Sequence, residues 1–213
     1  MGILLATMPQ AKAILYSFQS INANNILNAN DRQKQLFVDV SAVGSQVLFQ
    51  FQNVGTSPMS ITDIYFDDGT LLGLSSISSG AGTSFLRYAT PFDLPGGNAA
   101  NVNFNTSRGF SAGSVSPVLG NGVNPGETVG ILFNLIAGQT YADTINAMAM
   151  SLAHPGVDLT GGLRIGIHVQ GFANGQSESF VNGRAVPDGG STIVLLGLGL
   201  VGLNFLRRRF VEA

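Results

Sequence analysis

Gly109-Phe110-Ser111-Ala112-Gly113 satisfies the G-x-S-x-G pattern that exposes a serine nucleophile, and Asp143 followed by His154 or His168 would complete the chain order of an α/β-hydrolase triad. Such a serine must stand on a tight turn between a strand and a helix of a parallel sheet. Here Ser114-Val115-Ser116-Pro117 and Asn121-Gly122 follow it, a composition that predicts a loop and argues against acyl transfer. Gly197, Gly199 and Gly202 form a second pattern, G-x-G-x-x-G. A dinucleotide site needs a helix, a further strand and an acidic residue about 20 positions on, and only Leu203 to Ala213 follow, so these glycines are read as part of an apolar run.

Two polar groups remain. His168 lies between Ile167 and Val169, so strand alternation sets it on the face opposite the core with Arg164 and Gln170. An Arg and a His side by side could hold a carboxylate or an acidic sugar. Asp63, Asp67 and Asp68 gather around Asp67-Asp68-Gly69-Thr70 and could offer oxygens to calcium, although the spacing is not that of an EF-hand and a hairpin turn accounts for Asp68-Gly69 unaided. Calcium is thus the one metal left open, and no cofactor is expected. With no Cys and two His, thiolate chemistry and a three-His zinc site are excluded. A net charge of -2 and a pI near 5.5 argue against nucleic acid. Trp is absent and there are only four Tyr, so aromatic platforms for sugars are scarce, while 14 Phe suit a core. The expectation is a non-enzyme; the alternative is a secreted glycan-binding module or hydrolase using the Arg164 and His168 face or the Asp63 to Asp68 loop.

The elements that would position these groups are mostly strands. Leu36, Val38 and Val40, then Val47, Phe49 and Phe51, then Val129, Ile131, Phe133 and Leu135, then Leu163, Ile165, Ile167 and Val169 recur at period two, each set marking one buried face. Weaker strands are expected over Met59 to Phe66, Thr70 to Leu74, Ser84 to Tyr88 and Glu178 to Val181, divided by Gly- and Pro-bearing turns. One helix is predicted from Thr140, with Asp143 three residues on as a capping box, to His154-Pro155-Gly156. Short turns imply antiparallel pairing. Residues 14–185 therefore read as an all-β, antiparallel β-sandwich, jelly-roll-like, with one short helix.

The two ends differ from this body. Thr192 to Leu206 has only Thr192 and Asn204 polar, followed by Arg207, Arg208 and Arg209. As a helix it spans roughly 22 Å, so a single transmembrane helix would need a thinned bilayer or snorkelling arginines. The arginines would lie in the cytoplasm and the body across the membrane. At the other end, residues 1–13 supply a partial signal peptide, with an apolar run from Gly2 to Met8 and a small-x-small site at Ala11-Lys12-Ala13, but no basic residue before the run, which suggests a start upstream of Met1.

Val186-Pro187-Asp188-Gly189-Gly190-Ser191 precedes the apolar span, giving the order motif, span, Arg cluster over 186–191, 192–206 and 207–209. This tail resembles the VPDSG variant of the PEP-CTERM sorting signals handled by exosortases in Gram-negative bacteria, with Gly190 where the motif usually has Ser. The resemblance implies export, an inner-membrane anchored intermediate, cleavage near Pro187 to Gly189, and delivery to the cell surface or an extracellular polysaccharide matrix. Val186, Pro187, Asp188 and Gly189 would be the sorting motif and the three arginines the membrane stop. In the body, Ile64 to Gly69, Leu163 to Gly171 and Ser177 to Asn182 are similar to segments of exosortase-dependent ectodomains. That likeness carries a class and assigns no activity and no catalytic residue; the ordered tail is what leads to the expectation of a structural or adhesive role in exopolysaccharide or biofilm.

Overall fold

The computed structural model describes residues 13–22, 33–69, 71–112, 118–136 and 138–186. Ten strands form: β1 (Ile14–Ser20), β2 (Leu36–Val43), β3 (Gln46–Asn53), β4 (Ser60–Asp68), β5 (Leu72–Ser79), β6 (Leu86–Arg87), β7 (Arg108–Ser111), β8 (Thr128–Leu135), β9 (Leu163–Gln170) and β10 (Glu178–Ala185). Every pairing is antiparallel, in the order β5-β8-β3-β2-β1-β10-β9-β4-β7-β6. The expected sandwich of two packed sheets is therefore corrected: all ten strands share one hydrogen-bonded sheet, which curls until its two halves face each other.

The curl follows from the phenylalanines. Phe66 on β4, eighth in the strand order, meets Phe133 on β8, second in it, with ring centroids 4.9 Å apart. Phe66 also packs edge-on against Phe49, Phe51 and Phe110. A flat sheet would leave this face in water; curling buries it against itself. β2 and β3 start the process through a tight hairpin, Val43 paired with Gln46 across Gly44-Ser45, where Gly44 takes a φ of 60° that a side chain would resist.

The helix forms at Tyr141–Ala153, capped as expected by Thr140, whose hydroxyl accepts from the Asp143 N–H while the Asp143 carboxylate takes the Thr140 N–H. Bonds from the Thr140 side chain and backbone hold the Asp143 carboxyl below its ordinary value, so this cap is complete above the usual aspartate range and is lost as pH falls through the lowered value. The helix buries Thr144, Ala147, Met148 and Ser151, and the Tyr141 hydroxyl donates to the Val40 carbonyl at 2.9 Å. It thereby joins the main core at one end of the curled sheet.

β4 and β9 depart from the expected one-sided burial: every residue of β4 is buried, as is β9 from Ile165 to Val169. The segment between β6 and β7 covers their outer face with a second core of Tyr65, Ala89, Leu94, Val102 and Phe104. Gly166 allows this close approach, since a Cβ there would stand 2.7 Å from the Leu94 side chain. The expected membrane span at 192–206, the arginines at 207–209 and all of the partial signal peptide but Ala13 lie outside the described residues. Among the described residues no helix is long and apolar enough to cross a membrane.

Candidate functional site

The Arg164 and His168 patch lies on the outer face, as alternation predicts, but it is not an open cationic surface. Arg164 Nε donates to Asp67 Oδ2 at 2.9 Å and Nη1 to the Val102 carbonyl at 2.6 Å, and its guanidinium lies 5.4 Å from the Phe104 ring centroid. Its Nη2 also reaches Asp67 and the Asn103 carbonyl. His168 is 9% exposed, with Nδ1 3.3 Å from Asp63 Oδ2. Both side chains thus face a carboxylate beneath or beside the covering segment.

The three aspartates belong to β4 rather than a loop and do not converge on a common point. Asp63 faces His168, Asp67 faces Arg164, and Asp68 accepts from the Leu71 and Leu72 N–H groups and from Arg108 Nη1 at 3.2 Å. Burial pushes the Asp67 carboxyl up, and Arg164 and the Asn105 N–H pull it back only in part.

Ser111 is corrected from loop to strand: it ends β7, paired with Asp63 on one side and Leu86 on the other. The carboxylate beside it, not an imidazole, is its neighbour, which is the wrong order for a triad. Sequence reading missed a better-ordered row, because Ser179, His168 and Asp63 are cross-strand neighbours on β10, β9 and β4. Ser179 is fully buried and its Oγ has no hydrogen-bond partner, so no Ser to His contact activates it in this conformation.

An open concave site lies elsewhere, at the seam where the two ends of the sheet approach. β5 and the β6–β7 pair are not joined by a ladder. Arg108 Nη2 donates to the Leu72 carbonyl at 2.5 Å, and Arg87 reaches the Ser75 carbonyl, so arginines satisfy carbonyls of the β5 edge. Between them opens a cleft of about 440 Å³ floored by Gly73, Ser75, Ser107 and Gly109 and bordered by Arg87, Arg108, Tyr88 and Phe92. Tyr88 is 82% exposed at a φ of 74°, and Phe92 is 61% exposed. A bulky residue at positive φ is an outlier that the surrounding bonds must enforce. The Tyr88 N–H donates to the Gly109 carbonyl at 2.8 Å, and the Tyr65 hydroxyl, kept neutral by burial, donates to the Pro91 carbonyl at 3.2 Å. Gly109 admits this turn, because a Cβ there would meet Ala89 at 2.7 Å. Sequence reading expected a strand over Ser84 to Tyr88, where the structure pairs only Leu86–Arg87 and turns at Tyr88, so it carried no signal for this site.

At the C-terminal end of the body, β10 runs between β1 and β9, the middle of the sheet, and the Val186 N–H donates to the Leu15 carbonyl at 2.7 Å. The first residue of the expected motif is therefore hydrogen-bonded to the sheet. Residues 185–210 match the family model of the VPDSG-CTERM motif. No curated protein and no solved structure matches the chain. The tail thus carries a PEP-CTERM-like C-terminal sorting signal, a feature of exported proteins processed by exosortase-type enzymes and directed to the cell surface.

Proposed function

We propose that this chain is a non-enzymatic exported protein that an exosortase-type enzyme sorts through residues 186–210, after transient anchoring in the inner membrane, to a structural or adhesive role at the cell surface or in an exopolysaccharide matrix. The observation that carries the reading is the sorting signal, matched over residues 185–210, starting on the last residue of a strand that pairs with β1 on one side and β9 on the other. A protein held at a surface by this tail would pass tension into the middle of its sheet, where pulling β10 out requires breaking two ladders. An edge strand would offer only one. The described charged groups favour support over turnover, since Arg164, His168, Asp67 and Asp68 are each engaged by a neighbour that fixes the fold.

Fractionation of the native cells tests this. When the protein is expressed with its tail, its body is expected in the surface or matrix fraction, and the body of a variant lacking residues 186–210 is expected to be absent from that fraction while remaining folded. Equal distribution of the two would contradict the reading.

A further inference from the structure

We propose that the seam cleft between β5 and the β6–β7 pair is a binding site for a carboxylate-bearing sugar, with Tyr88 and Phe92 as ring platforms and Arg87 as the carboxylate's partner. The inference rests on the adhesive reading for its biological role and on the cleft alone for its chemistry. Tyr88 and Phe92 keep most of their surface in water beside Leu86, which is 58% exposed, in a chain that buries most of its other described aromatic rings. Exposed rings around a concave site offer apolar faces to the C–H side of a ring-shaped polyol. The small floor residues leave room for such a ring, and the volume lies within the usual range for small-ligand sites.

Charge selects the acid. Among the described residues Arg87 meets no carboxylate, and its Nη2 donates to the Ser75 carbonyl, which leaves further N–H donors for a ligand. No Asp or Glu lines the cleft. Arg108 stands behind it, with Asp68 and the Leu72 carbonyl fixing its position. The site is also held ready: the bonds at Tyr88 and Pro91 set the turn that carries both rings, so little ordering is needed on binding. In strand order the seam is farthest from β1 and β10, and β10 is the strand that leads into the tail. A tethered molecule would therefore carry this cleft on the side away from its attachment.

Because the chain has no Trp, and of its four Tyr only Tyr88 is exposed while Tyr16 and Tyr65 are buried and Tyr141 is half-buried, iodide quenching of tyrosine emission reports chiefly on this site, and the emission left in Tyr88→Ala gives the Tyr141 background. The experiment titrates the full chain in detergent with galacturonate oligomers, neutral galactose oligomers and succinate, following protection of tyrosine emission from iodide quenching, with calorimetry alongside. Saturable protection by the acidic oligomer, about tenfold weaker binding of the neutral one and none of succinate is the expected pattern. Tyr88→Ala and Phe92→Ala should weaken acidic-oligomer binding, read by calorimetry, about tenfold or more, and Arg87→Gln should erase the preference for the acid. Thermal unfolding of each variant separates lost binding from lost folding. Equal binding of succinate, absence of saturable binding by the acidic oligomer, or unchanged affinity in folded Tyr88→Ala would overturn the proposal. None of these outcomes bears on sorting, which the fractionation reads independently.

Discussion

Phe66→Ala is expected to cost about 3–5 kcal/mol of stability, seen as a large fall in the urea midpoint with little change in slope. Phe66 is fully buried and meets Phe49, Phe51, Phe110 and Phe133 at centroid distances of 5.1, 6.2, 5.9 and 4.9 Å. Those partners stand on β3, β7 and β8, so the ring is a hub through which distant strands of one sheet touch. Its removal leaves a cavity that cannot collapse without uncurling the sheet. Phe92→Ala, the same change on an exposed ring, should lie within about 0.5 kcal/mol of the parent. A loss below about 1 kcal/mol at Phe66 would mean that the curl is held by something other than the aromatic cluster.

Arg164→Met is expected to destabilise by about 3 kcal/mol at neutral pH, because it leaves the Asp67 carboxylate without its counter-charge, with only the Asn105 N–H donating to it, and the Val102 carbonyl without the guanidinium under the covering segment. The penalty should shrink in acid. Burial already pushes the Asp67 carboxyl up, and removing the guanidinium pushes it further. A carboxyl raised above its unfolded value binds the proton more tightly in the folded state, so stability falls as pH rises from the ordinary aspartate range through the raised value. In Arg164→Met that fall should be steeper and extend to higher pH than in the parent, and Asp67→Asn should remove it from both. Urea midpoints across the acid range give the comparison. A pH-independent loss in Arg164→Met would assign the effect to packing over Phe104 instead.

The strands with clear alternation were legible before any coordinates. Leu36, Val38 and Val40, and likewise Val47, Phe49 and Phe51, bury the sides that period two assigns. The helix and its Thr140 cap were equally plain, since capping chemistry is local. What alternation does not encode is how many sheets the strands make, because a curled sheet and two packed sheets bury the same faces. The two-sided burial of β4 and β9 was hidden for a related reason: their polar outer residues, Asp63, Asp67, Arg164 and His168, read as solvated until the segment carrying Leu94, Val102 and Phe104 is laid over them. Tyr88 and Phe92 were invisible as a site because Tyr88 read as the end of a strand that in the structure stops at Arg87, and composition alone assigned the Phe rings to the core. The tail was legible throughout, since its motif, apolar run and arginines follow one another in sequence.

The most direct test of the account is the intact mass of the mature protein recovered from the surface or matrix fraction of its native cells. The account predicts a body that ends near Pro187 to Gly189, with the apolar run and Arg207 to Arg209 removed. A surface protein that retains the entire tail, or an uncut chain confined to the inner membrane, would contradict processing and leave residues 192–209 as an ordinary anchor.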